Sequence, residues 1–367
     1  MKTRELEYDF DPTLVATAPA SPRDAARLMV VDRARGSIAH HFVRDLPALL
    51  GAGDQLFVNE TSVLRARLSI HRPAEAEGGA FDTEGLVLEP SAEAGAWRLL
   101  VRHAKRFRAG ERLALHDAHG RDHGDAIELV RRDAEAWVAR FHAGAAGGDI
   151  AEILERSGLT PLPPYILKAR KDRAETIDDD EDRAEYETVY ARASERGSVA
   201  APTAGLHFTP GLLSRLVATG VKRTDVTLHV NAGTFLPVKV DDVSQHRMHA
   251  EQAEISATAV DAITAARTAG GRCIPIGTTA LRTLESAAAG GSLQAFNAPT
   301  SIFITPGYRF RVADGLMTNF HLPKSTLFML VSAMMGLDVM KRAYAHAVEK
   351  GYRFFSYGDA CLLLPHG

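Results

Sequence analysis

Residues 61 to 148 carry strand signals and no helix signal, whereas the chain on either side carries both. Within this stretch the segments 84–88, 96–101, 112–115, 126–130 and 136–141 follow one another at short intervals, with Gly, Asp and His between them. Several short strands joined by turns can bury one face and hide their edges by closing into a small barrel. The glycine-rich run from Gly144 to Gly148 reads as the exit from that barrel. A chain of 367 residues exceeds the usual size of a single core, so a barrel beside a second domain is the expected division.

The flanking segments read differently. Residues 1 to 60 alternate short apolar runs, 27–31 and 55–58, with turn residues around a small connecting helix. Beyond residue 148, Asp149 can cap a helix that runs to Gly158. Thr209 and Pro210 offer an N-cap and a first-turn proline, Leu212, Leu213, Leu216 and Val217 form an apolar stripe, and Gly220 supplies the stop. The segment from Ser256 to Gly270 repeats that scheme around Val260 and Ile263. Strand-like runs fall between, at 226–230, 273–276 and 301–304. Such alternation argues for a layered α/β domain. Ser325 can open an almost wholly apolar helix over 326–335, which must be buried. The acidic stretch from Glu175 to Glu187 reads as a solvated, flexible loop.

Charge and cysteine usage narrow the function classes. No run of 18 apolar residues exists, and Met1-Lys2-Thr3-Arg4-Glu5 lacks an apolar signal core, so a cytoplasmic protein without membrane contact is expected. The two cysteines, Cys273 and Cys361, fit a reducing compartment, and neither has a second ligand at metal spacing. A net charge of −3 gives no general attraction to nucleic acid, so RNA contact must come from a local face. The stretch containing Arg98, Arg102, His103, Lys105, Arg106, Arg108 and Arg112 offers one, although charged strand edges are equally often a guard against aggregation.

Four constellations carry candidate chemistry. Gly277-Thr278-Thr279 follows a strand and opens a helix bearing Arg282 and Glu285, where exposed amides and hydroxyls suit an anionic or polar group. The plain alternative is a tight turn with a Thr cap. Pro202-Thr203-Ala204-Gly205-Leu206-His207 places a hydroxyl, a glycine and a histidine on a loop before a capped helix. His321, Lys324 and Asn319 cluster at the start of the buried helix and can converge on a charged ligand. His246, His249 and Glu251 invite a metal reading if they share a helix face, against the more frequent role of surface or packing histidines. No GxGxxG element follows any strand, which argues against a dinucleotide fold.

Taken in order, the motifs resemble one family. They run from Arg196-Gly197-Ser198 through His207, then Val226-Thr227-Leu228-His229-Val230 and Ala232-Gly233-Thr234-Phe235, to His246-Arg247-Met248-His249-Ala250-Glu251. Gly277-Thr278-Thr279 with Arg282 and Glu285, Thr318-Asn319-Phe320-His321-Leu322-Pro323-Lys324-Ser325 and Ser356-Tyr357-Gly358-Asp359 complete the set. The chain resembles the S-adenosylmethionine:tRNA ribosyltransferase-isomerases of queuosine biosynthesis. It departs from their pattern at Asn231, where a second glycine is usual, and at Glu60 and Ser62.

The resemblance implies a layered α/β domain with a mixed sheet, formed by residues 1–60 and 149–367, into which a small all-β barrel of residues 61–148 is inserted. It implies transfer and isomerisation of the ribosyl moiety of S-adenosylmethionine onto 7-aminomethyl-7-deazaguanine at the tRNA wobble position, with adenine and methionine released. S-adenosylmethionine is then a co-substrate, no metal or organic cofactor is expected, and the chain is expected to act as a monomer. Under this reading His321, Glu251, His249 and His207 are the catalytic candidates. Thr203, His229, Gly233, Thr234, Phe235, Gly277, Thr278, Thr279, Arg282, Asn319, Lys324, Tyr357 and Asp359 are the substrate-binding candidates. Arg102, Lys105, Arg106 and Arg108 are the RNA-binding candidates. The expected arrangement brings His321, Arg282 and Glu251 to one pocket, with Glu285 or Asp359 steadying positive charge on the sugar. Two other classes compete: a tRNA-binding module without catalysis, and a metal-dependent hydrolase built on His246 and His249.

Overall fold

A computed structural model of the chain describes residues 1–74, 76, 78–176, 178–231 and 240–366. Nine strands form one mixed sheet, in the order Phe296–Thr300, Glu251–Ile255, Lys222–Leu228, Gln55–Asn59, Cys273–Ile276, Leu316–Asn319, Ala360–Leu364, Arg27–Asp32 and Ser37–Phe42. Its middle strands Gln55–Asn59, Cys273–Ile276, Leu316–Asn319 and Ala360–Leu364 are buried along their whole length, because helices cover both faces. Alternation divides the side chains between two cores. Cys361 and Leu363 pack against the Thr326–Met335 and Leu337–Glu349 helices, whereas Ala360, Leu362 and Leu364 face the Pro210–Ala218 helix.

The all-strand stretch closes as its texture predicts. The strands Arg67–Arg72, Phe81–Pro90, Ala96–Val101, Ala136–His142, Asp122–Asp133 and Arg112–His116 pair antiparallel in that order. Pairing of Ile70 with Leu115 then joins last to first, so six strands make a closed barrel. Leu68, Ile70, Val87, Leu99, Leu113, Leu115, Ile127, Leu129 and Trp137 fill it. Sequence reading omitted the Arg67–Arg72 strand, whose two buried apolar residues, Leu68 and Ile70, make too short an alternation to stand out among its charges.

Caps behave as read. Asp149 accepts from the Glu152 amide, Thr209 from Leu212, Ser256 from Ala259 and Ser325 from Phe328. Replacing Thr209 with Ala is expected to lower the free energy of unfolding by about 1 kcal/mol. A denaturant titration checks this, and an unchanged midpoint with an unchanged slope counts against the cap.

Three expectations fail. The 301–304 run is not a strand: the ladder on Glu251–Ile255 is taken by Phe296–Thr300, and Thr300 Oγ1 then accepts from the Ile302 amide and turns the chain away. The acidic stretch is not a free loop, since Asp179–Glu185 is a short helix capped by Asp178. Asp182 forms a two-pronged pair with Arg170 at 2.6 Å on both prongs, and Asp179 pairs with Arg65 and Arg67. Arg65 and Arg67 come from 114 and 112 residues away and Arg170 from the preceding helix, which is why the charge run by itself misleads. Finally, His246 to Ala250 is not helical; it links a single turn, Val243–Gln245, to the Glu251–Ile255 strand, so His246 and His249 share no helix face.

The strands Lys222–Leu228, Gln55–Asn59, Cys273–Ile276 and Leu316–Asn319 run parallel, so the segments leaving their carboxyl ends emerge at one edge. Such an edge is where open α/β sheets hold ligands.

Candidate active site

At that edge lies a cavity of about 690 Å³ that opens to solvent. Gly277, Thr278 and Thr279 line it after the Cys273–Ile276 strand, Asn319, Phe320 and His321 after Leu316–Asn319, and Val230 after Lys222–Leu228. The 200–204 segment, Tyr165 and Phe355-Ser356 complete the wall. Gly277 has φ +88°, a left-handed conformation that favours glycine. No side chain caps the helix it opens, Gly277–Ala287, so the first-turn amides carry the helix's partial positive charge without a competing acceptor from the N-cap. Thr279 Oγ1 is buried and has no hydrogen-bond partner among the described residues.

Two buried histidines meet this wall. His321 is gripped through its backbone: its N–H donates to Tyr344 Oη at 3.0 Å, its carbonyl accepts from Tyr8 Oη, and its Nε2 lies 3.1 Å from Thr318 Oγ1. His207 stands one hydrogen bond behind the wall. Asn319 Nδ2 reaches its Nε2 at 3.2 Å, while Asn319 Oδ1 accepts from Thr203 Oγ1 at 3.0 Å. An amide nitrogen only donates, so His207 Nε2 accepts and its proton sits on Nδ1. Burial lowers the pKa of each ring to about 3, with Arg353 and Arg23 adding to the effect at His207. Both imidazoles are therefore neutral at neutral pH.

Further along the same helix, Arg282 pairs with Glu251 in a site where both are less than 5 % exposed. The other Glu251 oxygen accepts from the Asn231 amide at 2.9 Å, and Asn231 Nδ2 donates to the Ala250 carbonyl, so Asn231 ties the two segments together. Arg282 Nε and Nη2 have no hydrogen-bond partner among the described residues. Arg282 and Glu251 do not line the cavity; Arg282 follows Thr278 by one helical turn, on the same face.

Other candidates lie elsewhere. Asp359 receives the backbone amides of Arg27 and Arg353, and Glu285 those of Arg311, Val312 and Ala313 with the Tyr308 hydroxyl, so both carboxylates clamp loops instead of facing the cavity. Tyr357 is 1 % exposed and packs edge-on against Tyr186, which leaves it no face for a base. Lys324 reaches outward to Glu7. His229 is half-buried against Thr61 Oγ1 at 2.9 Å, His246 packs on Phe303, and His249 is exposed. Gly233, Thr234 and Phe235 lie outside the described residues. Among the described residues no three His, Cys, Asp or Glu side chains are grouped to hold a metal ion, so the His246–His249 hydrolase has no geometric support there. Lys105 and Arg106 sit on the single turn Ala104–Arg106, with Arg106 over the Phe81 ring. The Arg108 amide donates to Glu111, and Arg102 pairs with Glu84. Tyr165 and Ser356, which share a 2.5 Å hydrogen bond, were missed as wall residues: Tyr165 stands in no polar cluster, and in the Ser356-Tyr357-Gly358-Asp359 motif Tyr357 and Asp359 are the candidates.

An α/β sheet with a loop-built cavity at its carboxyl edge, joined to a six-stranded barrel, defines a ligand-binding class more than a reaction. The sequence profile described as "Queuosine biosynthesis protein" matches residues 3–363, and the chain belongs to that family. Among its relatives, a protein of Rhizorhabdus wittichii is 49% identical over 370 residues, covering 100% of both chains. One of Maricaulis maris is 50% identical over 366 residues, covering 99% of each. Both are named S-adenosylmethionine:tRNA ribosyltransferase-isomerase. A Thermotoga maritima crystal structure, titled as an S-adenosylmethionine tRNA ribosyltransferase, is 31% identical with a TM-score of 0.54, over 98% of this chain and 100% of that one.

Proposed function

We propose that this chain transfers and isomerises the ribosyl moiety of S-adenosylmethionine onto 7-aminomethyl-7-deazaguanine at the tRNA wobble position, giving epoxyqueuosine and releasing adenine and methionine. Family membership supports the reaction class. The observation that carries the reading at the site is the pairing of a neutral buried His321 with the uncapped Gly277–Ala287 helix start on one cavity wall.

Two demands of the reaction, a proton acceptor and a polar cradle, have counterparts on that wall. A sulfonium acidifies the adjacent ribose carbon, and a neutral imidazole offers that proton a lone pair without setting a second cation beside the first. Low basicity of the ring leaves most of the acidification to the sulfonium. The helix amides, Thr278 and Thr279 suit a carboxylate or ribose hydroxyls. Arg282 and Glu251 lie outside the cavity, one helical turn behind Thr278, where their buried ion pair steadies the helix start instead of touching substrate. The target base must leave the anticodon stack to enter the cavity. The reading takes S-adenosylmethionine as a co-substrate, with the chain acting as a monomer and using no metal or organic cofactor. It places the protein in the cytoplasm with its tRNA.

Incubation with S-adenosylmethionine and precursor-bearing tRNA, followed by nucleoside mass analysis, is expected to show the epoxyqueuosine mass and equimolar adenine. An unchanged nucleoside, with both substrates shown to bind, would remove the assignment.

A further inference from the structure

A second, wider hollow of about 2100 Å³ lies beside the cavity, between the outer face of the barrel and the Pro164–Asp172 helix. The two adjoin: Tyr165 of that helix and Ala200 line the cavity, while Pro164 and Val199 line the hollow. Leu86 and Leu100 stand opposite each other on neighbouring barrel strands, pointing away from the barrel interior yet only partly exposed. Together with Leu162 and Leu167 they give the hollow an apolar floor.

Its rim is basic. Lys168 and Lys171, three apart on the helix and so on neighbouring positions of one face, are exposed. Neither has an ion-pair or hydrogen-bond partner among the described residues. Across the hollow stand Arg102 and Arg67, which share Glu84 at 3.1 and 3.7 Å. Arg67 is also held by buried Asp179, so the rim's open positive charge comes from Lys168, Lys171 and Arg102, set against Glu84 and Glu175 in a chain whose net charge is −3. The local excess is a matter of placement, not of composition.

We propose that this groove holds the RNA strand, with Lys168 and Lys171 on phosphates and the leucine floor under a sugar or an unstacked base, while the target base turns into the adjoining cavity. The proposal rests on the tRNA reading of that cavity. It moves the main RNA contact from the Lys105–Arg106 turn at the barrel's end to the groove, with Arg102 retained on its rim.

The test uses the full chain and labelled precursor-bearing tRNA, with anisotropy across a salt series. Lys168→Glu with Lys171→Glu is expected to weaken binding at least about tenfold and to reduce the salt slope by about two, one for each phosphate that the lysines no longer neutralise. KM for tRNA rises while binding of S-adenosylmethionine, measured by calorimetry, stays at the wild-type value. Both lysines are exposed, so melting temperatures should match; Lys168→Ala with Lys171→Ala repeats the test without new negative charge. Wild-type modification of tRNA alongside wild-type affinity in both double variants overturns the groove alone. Loss of binding on Lys105→Glu with Arg106→Glu, but not on the lysine pair, also overturns it. A native chain that binds S-adenosylmethionine but no tRNA at any salt overturns the groove and the functional reading together.

Discussion

Arg282→Ala is expected to lower the free energy of unfolding by about 3–5 kcal/mol, as removal of one partner from a buried ion pair does. Glu251 is 3 % exposed, and loss of the guanidinium takes a buried cation from its carboxylate where water compensates poorly. The Asn231 amide still holds one Glu251 oxygen, but a neutral donor does not replace a cation. Replacing both partners by apolar residues of similar size, Arg282→Met with Glu251→Leu, should recover most of that stability, because no unpaired charge remains. It should also recover ribosyl transfer, because the pair lies outside the cavity. Denaturant melts and nucleoside analysis of the three proteins separate the roles. Loss of turnover in the stable double variant would show that the pair acts on substrate.

The second large effect is on acid stability. Burial holds His207 and His321 at a pKa of about 3, against 6.5 for an unperturbed histidine. As pH falls through about 6.5 the unfolded chain takes up a proton at each ring that the folded chain refuses until about 3. Stability from these rings is therefore complete above that window and is lost as the solution is acidified. At pH 5 the loss is about 2 kcal/mol per ring, or roughly 4 kcal/mol for both, at 1.36 kcal/mol per pH unit. Other groups titrate too, so the measurement is a difference: His207→Gln and His321→Gln should each flatten the change between pH 7.5 and pH 5 by about 2 kcal/mol. A variant whose pH dependence matches the wild type would show that its ring is not held neutral. At neutral pH, His321→Gln should also slow ribosyl transfer by about 10²-fold or more, as expected when a positioned proton acceptor is removed. His321 stays neutral from pH 5 to 8, so its own titration should leave no acid limb in the wild-type rate profile.

Local rules determined much of this protein from sequence alone. Five short strand runs without helix signals pointed to a barrel, since short strands can hide their edges by closing; the closing strand, Arg67–Arg72, emerged only from the structure. Ser, Thr and Asp before apolar stripes marked helix starts, because a side-chain oxygen and the orphan amides it satisfies lie within three residues. The Gly277 turn was visible too, as one glycine between a strand and a helix. Tertiary structure decided what depends on partners far along the chain. Asp179 became buried because Arg65 and Arg67, 114 and 112 residues away, reached it, and Asp359 and Glu285 became loop clamps because the Arg27 and Val312 amides converged on them. His207 is held behind the cavity wall by Asn319, 112 residues away, and desolvation rather than residue type fixed His207 and His321 as neutral. Sequence names the groups that can carry charge; burial and hydrogen bonding, which arise from contacts across the fold, determine which of them do.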